Sequence, residues 1–247
     1  MTSEHLNEPT AGQSIEMPTP RPAWLGVVLV AEVVAYVAAF AGYVWFVMPA
    51  GAQGDGAHGA PPGPLAWLRV VCAAMLVLVP VGLNLLHGDR PADSGLRLDN
   101  FKASARLVVP ATLVMALVVA VVAFALHGWE WISFKRFAER SGGYLVWGMV
   151  QQYLLQAFAL RRLRQARLPP IPAVILAACL FAMLHAPNWW LVGSTCLGAI
   201  AWCAIFIRVP NLLTLGLAHA VMGVLMYHAW YYPARALTIG PAFWRWH

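Results

Sequence analysis

Long apolar runs separated by short polar segments follow one another along the whole chain. We predict membrane-spanning helices over residues 23–48, 65–86, 107–126, 143–160, 173–188, 191–207 and 211–230. Each run approaches the ~20 residues that a helix needs to cross a bilayer. The polar residues 1–22 are rich in Pro, Thr and Glu and are predicted to be a disordered tail. The pattern therefore predicts an all-α protein, a polytopic transmembrane helix bundle of about seven spans.

One polar segment between the runs differs from the others. Residues 127–142 space Trp131, Phe134 and Phe137 three apart among charged residues, which is typical of an amphipathic helix lying at the membrane interface. The chain is thus divided into the tail, a three-span region at 23–126, this amphipathic segment, a core at 143–230 and a C-terminal tail at 231–247.

Three glutamines lie in the middle of the fourth predicted span. A primary amide in hydrocarbon needs hydrogen-bond partners, and such interhelical bonds stabilise by only ~0.6 to 2 kcal/mol. Stability alone is therefore a poor reason for three amides within six residues. At about 100° per residue, Gln152 and Gln156 lie one above the other, with Gln151 beside them. We predict that this helix forms the polar wall of a site inside the membrane.

Composition and charge support a membrane protein and exclude two other classes. Of the residues, 61% are hydrophobic and 11% are charged, well below the charged fraction of soluble domains. The net charge of +6 does not indicate nucleic-acid binding, because the basic residues lie at the ends of apolar runs. The four cysteines all fall within apolar segments without a CxxC pair, so neither a disulfide framework nor a zinc site is predicted.

The distribution of basic residues predicts the orientation in the membrane. The loop at 49–64 contains no Lys or Arg, whereas 87–106 and 161–167 each contain four. The positive-inside rule therefore places the N-terminus and these two basic segments in the cytoplasm, and the loop at 49–64 outside. Glu32 is the only acidic residue within a predicted span. It is a functional candidate by its position, with a neutral or paired structural carboxylate as the alternative.

Three short polar motifs lie in order on three of the last four predicted spans: QQxxxQ, FxxxH and HxxxG. Their order and spacing resemble the CAAX-protease and bacteriocin-processing (CPBP, or Abi) family of intramembrane proteases, whose pattern is EExxxR, FxxxH and HxxxN. The resemblance covers about residues 143–230. It implies an intramembrane endopeptidase in the bacterial inner membrane, acting on a membrane protein or lipidated peptide. The site residues carried over are Gln151, Gln152, Gln156, Phe181, His185, His219 and Gly223.

In such enzymes the first glutamate activates a water with the second-motif histidine, and the third motif stabilises the oxyanion. Here Gln151 takes the position of that first glutamate, which serves as the base, and Gln152 takes the position of the second. Gln156 takes the position of the motif arginine, and Gly223 that of the motif asparagine. An amide cannot serve as a base near neutral pH, whereas a positioned carboxylate contributes about 10² to 10⁴ in rate. Glutamine is also a poor main ligand for divalent cations, so no cofactor is expected.

Several hypotheses follow from these departures. The first is a CAAX-protease-like endopeptidase with a base-deficient site, in which Glu32 is the one intramembrane carboxylate able to replace the missing base. The second is a non-catalytic pseudoprotease that holds a partner's transmembrane or prenylated tail in a neutral cavity. A small transporter or channel is disfavoured, because the sequence contains no internal repeat. Taken singly, His185 or His219 is also compatible with a purely structural role.

Overall fold

The computed structural model describes residues 23–49, 64–126, 132–229 and 237–246. The predicted tail at 1–22, loop residues 50–63, the first part of the amphipathic segment (127–131) and residues 230–236 lie outside the described residues.

The described chain folds into seven helices, which confirms the all-α prediction. Four of them are long and apolar enough to cross a membrane, over 24–47, 66–86, 101–125 and 189–208. The elements are α1 (Ala23–Gly42, extended by a π-helical turn at Tyr43–Val47), α2 (Pro64–Leu86), α3 (Phe101–Leu126), α4 (Phe134–Gln152), α5 (Pro170–Met183), α6 (Trp189–Arg208) and α7 (Leu212–His228), followed by a 3₁₀ helix at Gly240–Trp246.

The helix with the three glutamines is longer than the sequence predicts. Ser133 caps its start, accepting a hydrogen bond from the backbone N–H of Arg136. After α4 the helix continues as a π-helix (Tyr153–Leu160) and ends in an α-helical turn (Arg161–Gln165). We call this continuous element, residues 134–165, the glutamine helix. Residues 134–142, predicted as a separate interfacial segment, form its first turns, because Gly142 and Gly143 alone do not end a helix.

Close approach between α4 and α7 brings the glutamines to the rest of the core. A Cβ added at Gly148 would lie 3.0 Å from the carbonyl oxygen of Gly216, and one at Gly216 would lie 2.1 Å from Sδ of Met149. Glycines on both helices therefore let the two backbones pack together, as small residues do between transmembrane helices. This contact places the middle of the glutamine helix against the middle of α7.

The polar loops meet at one end of the bundle, which we call the basic end. Arg161 lies 2.7 Å from Asp89 in the loop after α2. The side-chain amide of Asn100 donates to the carbonyl of Pro210, and that of Asn211 donates to the carbonyl of Arg97. Residues 87–100, 161–168 and 208–211 thus share one end, which agrees with the charge pattern. That this end is cytoplasmic stays a prediction.

Candidate functional site

A hydrogen-bonded relay joins the glutamine helix to α7. The side-chain N–H of Gln152 donates to Nδ1 of His219 over 2.8 Å, and the side-chain N–H of Gln156 donates to Oε1 of Gln152 over 3.3 Å. An amide nitrogen can only donate, so Nδ1 of His219 must accept and its proton must lie on Nε2. The relay therefore holds His219 as a neutral imidazole in one tautomer.

Aromatic rings surround His219 on the other sides. Tyr144 is stacked near it, with ring centroids 6.2 Å apart, and Trp202 is tilted at 5.4 Å. Phe181 approaches edge-on at 6.5 Å. Trp202 and Tyr144 are absent from the three sequence motifs, because an aromatic residue in an apolar helix gives no polar signal. Their spacing alone could not separate them from ordinary core residues.

A cavity of about 400 Å³ opens beside His219. Five of the seven residues predicted for the site line this cavity: Gln151, Phe181, His185, His219 and Gly223. Gln152 and Gln156 do not line it, since both are fully buried behind His219. The predicted residues are thus brought together in two layers, a cavity wall and a supporting relay.

The positions of Gln151 and Gly223 depend on the same tyrosine. Gln151 donates a hydrogen bond from its side-chain amide to the Tyr144 hydroxyl over 3.2 Å. A Cβ added at Gly223 would lie 2.6 Å from the Tyr144 ring, so the asparagine of the family pattern would collide with it. The glycine at position 223 therefore leaves the space that the Tyr144 ring occupies.

His185 has the opposite tautomer to His219. Its Nδ1 lies 3.1 Å from the backbone carbonyl oxygen of Phe181, which can only accept, so Nδ1 carries the proton. Nε2 of His185 is left as an acceptor, whereas Nε2 of His219 is a donor. The cavity wall therefore holds one weakly basic imidazole nitrogen and one imidazole N–H.

Glu32, the candidate replacement for the missing base, is engaged elsewhere. Its carboxylate lies 3.0 Å from Nε of Arg162 and 2.8 Å from Nε2 of His87. Arg162 is fully buried, and its guanidinium also contacts Asp89 at 3.1 Å. Glu32 does not line the cavity beside His219. The hypothesis that it serves as the base is therefore wrong on geometry, and Glu32 belongs to a buried ion-pair cluster near the basic end.

No charged side chain lines the cavity beside His219 in the part of the chain that is described. Within the same residues, no three His, Cys, Asp or Glu side chains come close enough together to hold a metal ion. A divalent cation here would find two imidazoles and one amide, without a carboxylate to balance its charge. This donor set does not fit the hard or borderline cations that favour carboxylate ligands.

Comparison with known proteins identifies the region that carries this site. Residues 142–225 match the family described as type II CAAX prenyl endopeptidase Rce1-like. The match begins within α4 and ends within α7, so it includes both layers of the site. The resemblance to CAAX proteases predicted from the three motifs is thereby confirmed. Searches of curated proteins and of solved structures gave no match.

Proposed function

We propose, from the match of residues 142–225 to the Rce1-like type II CAAX prenyl endopeptidases, that this CAAX-protease-like membrane protein binds a prenylated or membrane-embedded peptide end without hydrolysing it. The observation that carries the proposal is the cavity beside His219, which has five of the seven motif residues on its wall and no carboxylate among the described residues that line it.

Among the described residues no carboxylate base lines the cavity, which argues against hydrolysis by the family mechanism. Gln151 takes the position of the base, and an amide does not accept a proton from water near neutral pH. Glu32 is held by Arg162 and His87. The described wall of the cavity therefore lacks the group that would contribute about 10² to 10⁴ in rate.

The lining of the cavity argues for an apolar ligand with a polar end. Most of the wall is made of aliphatic side chains, including Val114, Val118, Leu180, Leu184 and Met222. Gln151, His185 and His219 are among the few polar side chains that add hydrogen-bonding groups to this wall. Pockets of about 300–1,000 Å³ that combine apolar walls with a few placed polar groups are typical of small-molecule sites. A prenyl chain attached to a peptide has this chemistry.

Hydrolysis with histidine as the base is the second candidate. Its support is the complementary tautomers, because Nε2 of His185 accepts a proton while the Nε2–H of His219 can donate to a developing oxyanion. A neutral imidazole is a competent general base near neutral pH. This candidate uses the two family histidines without either motif glutamate.

One experiment separates the two candidates. The full chain in nanodiscs is titrated with a fluorescent farnesylated peptide, and the peptide is then analysed by mass spectrometry. Gly198 lines the cavity, and a Cβ added there would meet only Sδ of Met115 at 3.8 Å. Gly193, on the same helix, faces open space. Gly198→Leu should weaken binding by roughly tenfold or more, equivalent to at least 1.4 kcal/mol, and the matched control Gly193→Leu should not.

The peptide should stay intact in every sample. Cleavage that survives Glu32→Gln and disappears in His185→Ala would replace the binding proposal with histidine-based hydrolysis. If the farnesylated peptide is neither bound above an unmodified peptide nor cleaved, both candidates fail.

A further inference from the structure

Two cysteines far apart in sequence lie side by side in α5 and α6. The Sγ atoms of Cys179 and Cys196 are 4.0 Å apart, and both thiols are free. The two helices form a hairpin joined by residues 184–188. Of the other cysteines, Cys203 is buried in the core and Cys72 lies on α2.

The pair lies on a face of the hairpin directed away from the core. Leu176 and Met183, three residues before and four after Cys179, share its helical face and are 38% and 50% exposed. Cys179 is itself exposed, and Cys196 is partly exposed. In a helix within a membrane such an apolar face meets lipid. Water-soluble oxidants and reductants are kept away from it, whereas lipid-soluble molecules reach it.

We propose that Cys179 and Cys196 are a membrane-facing redox pair, oxidised to an intramolecular disulfide by a lipid-soluble quinone. Two S–H bonds break and one S–S bond forms. The two electrons and two protons pass to the quinone, which leaves as the quinol. The sulfur atoms must approach from 4.0 Å to the ~2.05 Å of a disulfide, a movement of the order of a side-chain rotation.

Oxidation would close a loop that contains part of the cavity wall. Phe181 and His185 lie on one side of this loop and Thr195 lies on the other, and all three line the cavity beside His219. A disulfide removes conformational freedom from such a loop, mainly in the unfolded chain. In the folded protein the covalent bond would also hold α5 and α6 together beside the cavity. The inference does not depend on what the cavity binds.

The test uses the reduced full-length protein in nanodiscs. The protein is incubated with a benzoquinone carrying a decyl tail, denatured and alkylated, and each cysteine is then measured by mass spectrometry. Alkylation should fall together at Cys179 and Cys196, with a cross-linked peptide two hydrogens lighter than the sum of its thiol forms. Cys72 and Cys203 should remain alkylated. In Cys179→Ala the thiol of Cys196 should stay alkylatable, and the matched control Cys203→Ala should oxidise as the wild type does.

A second measurement follows the thermal midpoint before and after quinone treatment. The midpoint should rise in the wild type and in Cys203→Ala, and it should not change in Cys179→Ala. The proposal is overturned if the quinone forms covalent adducts in place of the disulfide, if the disulfide joins two molecules on a non-reducing gel, or if both thiols stay alkylatable after treatment.

Discussion

Gln152 donates its side-chain N–H to Nδ1 of His219 across 2.8 Å, between two helices whose glycines let them touch. This bond fixes the proton of His219 on the nitrogen that remains for the cavity. The same glutamine accepts a bond from Gln156. The pair therefore connects a fully buried layer to the wall where a ligand would lie.

Replacing the three glutamines singly by leucine should give a graded loss of stability. Gln152→Leu leaves Nδ1 of His219 without its donor and also removes the bond that the buried amide of Gln156 donates, and a buried polar group that loses its partner costs about 1–3 kcal/mol. Gln156→Leu removes one of these bonds, and Gln151→Leu removes only a bond to Tyr144 at 3.2 Å. Thermal unfolding in nanodiscs should therefore rank Gln152→Leu as the most destabilised. A larger loss at Gln151 would contradict the relay.

The buried arginine should be far more sensitive than its exposed neighbour. Arg162→Leu leaves the carboxylates of Glu32 and Asp89 without the guanidinium between them, and breaking a buried ion pair costs about 3–5 kcal/mol. Arg164, two residues away, is exposed and contacts the backbone carbonyl of Leu168. Arg164→Leu is the matched control, with an expected change near zero. Equal effects of the two changes in a thermal unfolding assay would be evidence against a buried cluster.

Stability should fall in acid because of Asp89. Burial alone would raise the pKa of Asp89, but its hydrogen bonds and charge interactions with Arg161 and Arg162 outweigh this and hold the pKa below its ordinary value of 3.8. A lowered pKa stabilises the fold above the unfolded value, and this contribution is lost as the pH falls through the folded value. As the pH falls through 3.8 and below, Asp89→Asn should therefore lose less stability than the wild type.

The control for this pH dependence is Asp93→Asn. Asp93 is about half exposed and lies 3.7 Å from Arg161. Its substitution should leave the acid-dependent loss of the wild type in place. The same pH profile for Asp89→Asn and the wild type would show that Asp89 is not the group responsible.

Gly223 should resist even a single added methyl group. In Gly223→Ala the new Cβ would lie 2.6 Å from the Tyr144 ring, and overpacking of this kind costs about 1–3 kcal/mol. The ring would have to move away from Gln151 and His219. Gly193→Ala, in open space on α6, is the control and should be neutral or stabilising. Partial recovery in the double variant Gly223→Ala with Tyr144→Leu would identify the ring as the obstacle, whereas a neutral Gly223→Ala would contradict the packing described.

The orientation of the bundle can be tested by labelling cysteines placed at its two ends. Leu98 lies in the loop at the basic end and is 74% exposed, whereas Phe134 begins the glutamine helix at the other end and is 85% exposed. In a background without native cysteines, an impermeant reagent applied outside should label Phe134→Cys and not Leu98→Cys, because the basic end is expected inside. The reverse labelling pattern would show that the basic end lies outside and would contradict the predicted orientation.

The sequence predicts the helical class and the face of the glutamine helix because both follow from local periodicity. Gln152 and Gln156 lie four residues apart, so their alignment required no tertiary information. The burial of Arg162 was not predictable in this way. Counting basic residues predicts the end of the bundle at which Arg162 lies. It does not predict the contact with Glu32, because Glu32 is on another helix. The division of the site into wall and relay depends on how closely α4 and α7 pack.

The contact between Cys179 and Cys196 was missed for a related reason. Spacing rules for cysteine detect pairs that are close in sequence, whereas these two meet because α5 and α6 form a hairpin. The continuity of residues 134–165 was also missed. The first turns of this helix are charged and the rest is apolar. This difference in composition is why the sequence predicts two separate segments there.

The contact between Glu32 and Arg162 joins two residues that are synthesised at different times. Glu32 precedes Arg162 by about 130 residues in the sequence. At about 5–20 residues per second, Arg162 is therefore synthesised on the order of 10 s after Glu32. His87, only 55 residues later, is synthesised much sooner and offers an earlier partner. Until the glutamine helix is synthesised, α1 carries Glu32 without the arginine that pairs with it in the folded protein. The ion pair that holds α1 against the glutamine helix can thus form only after residue 162 has been synthesised.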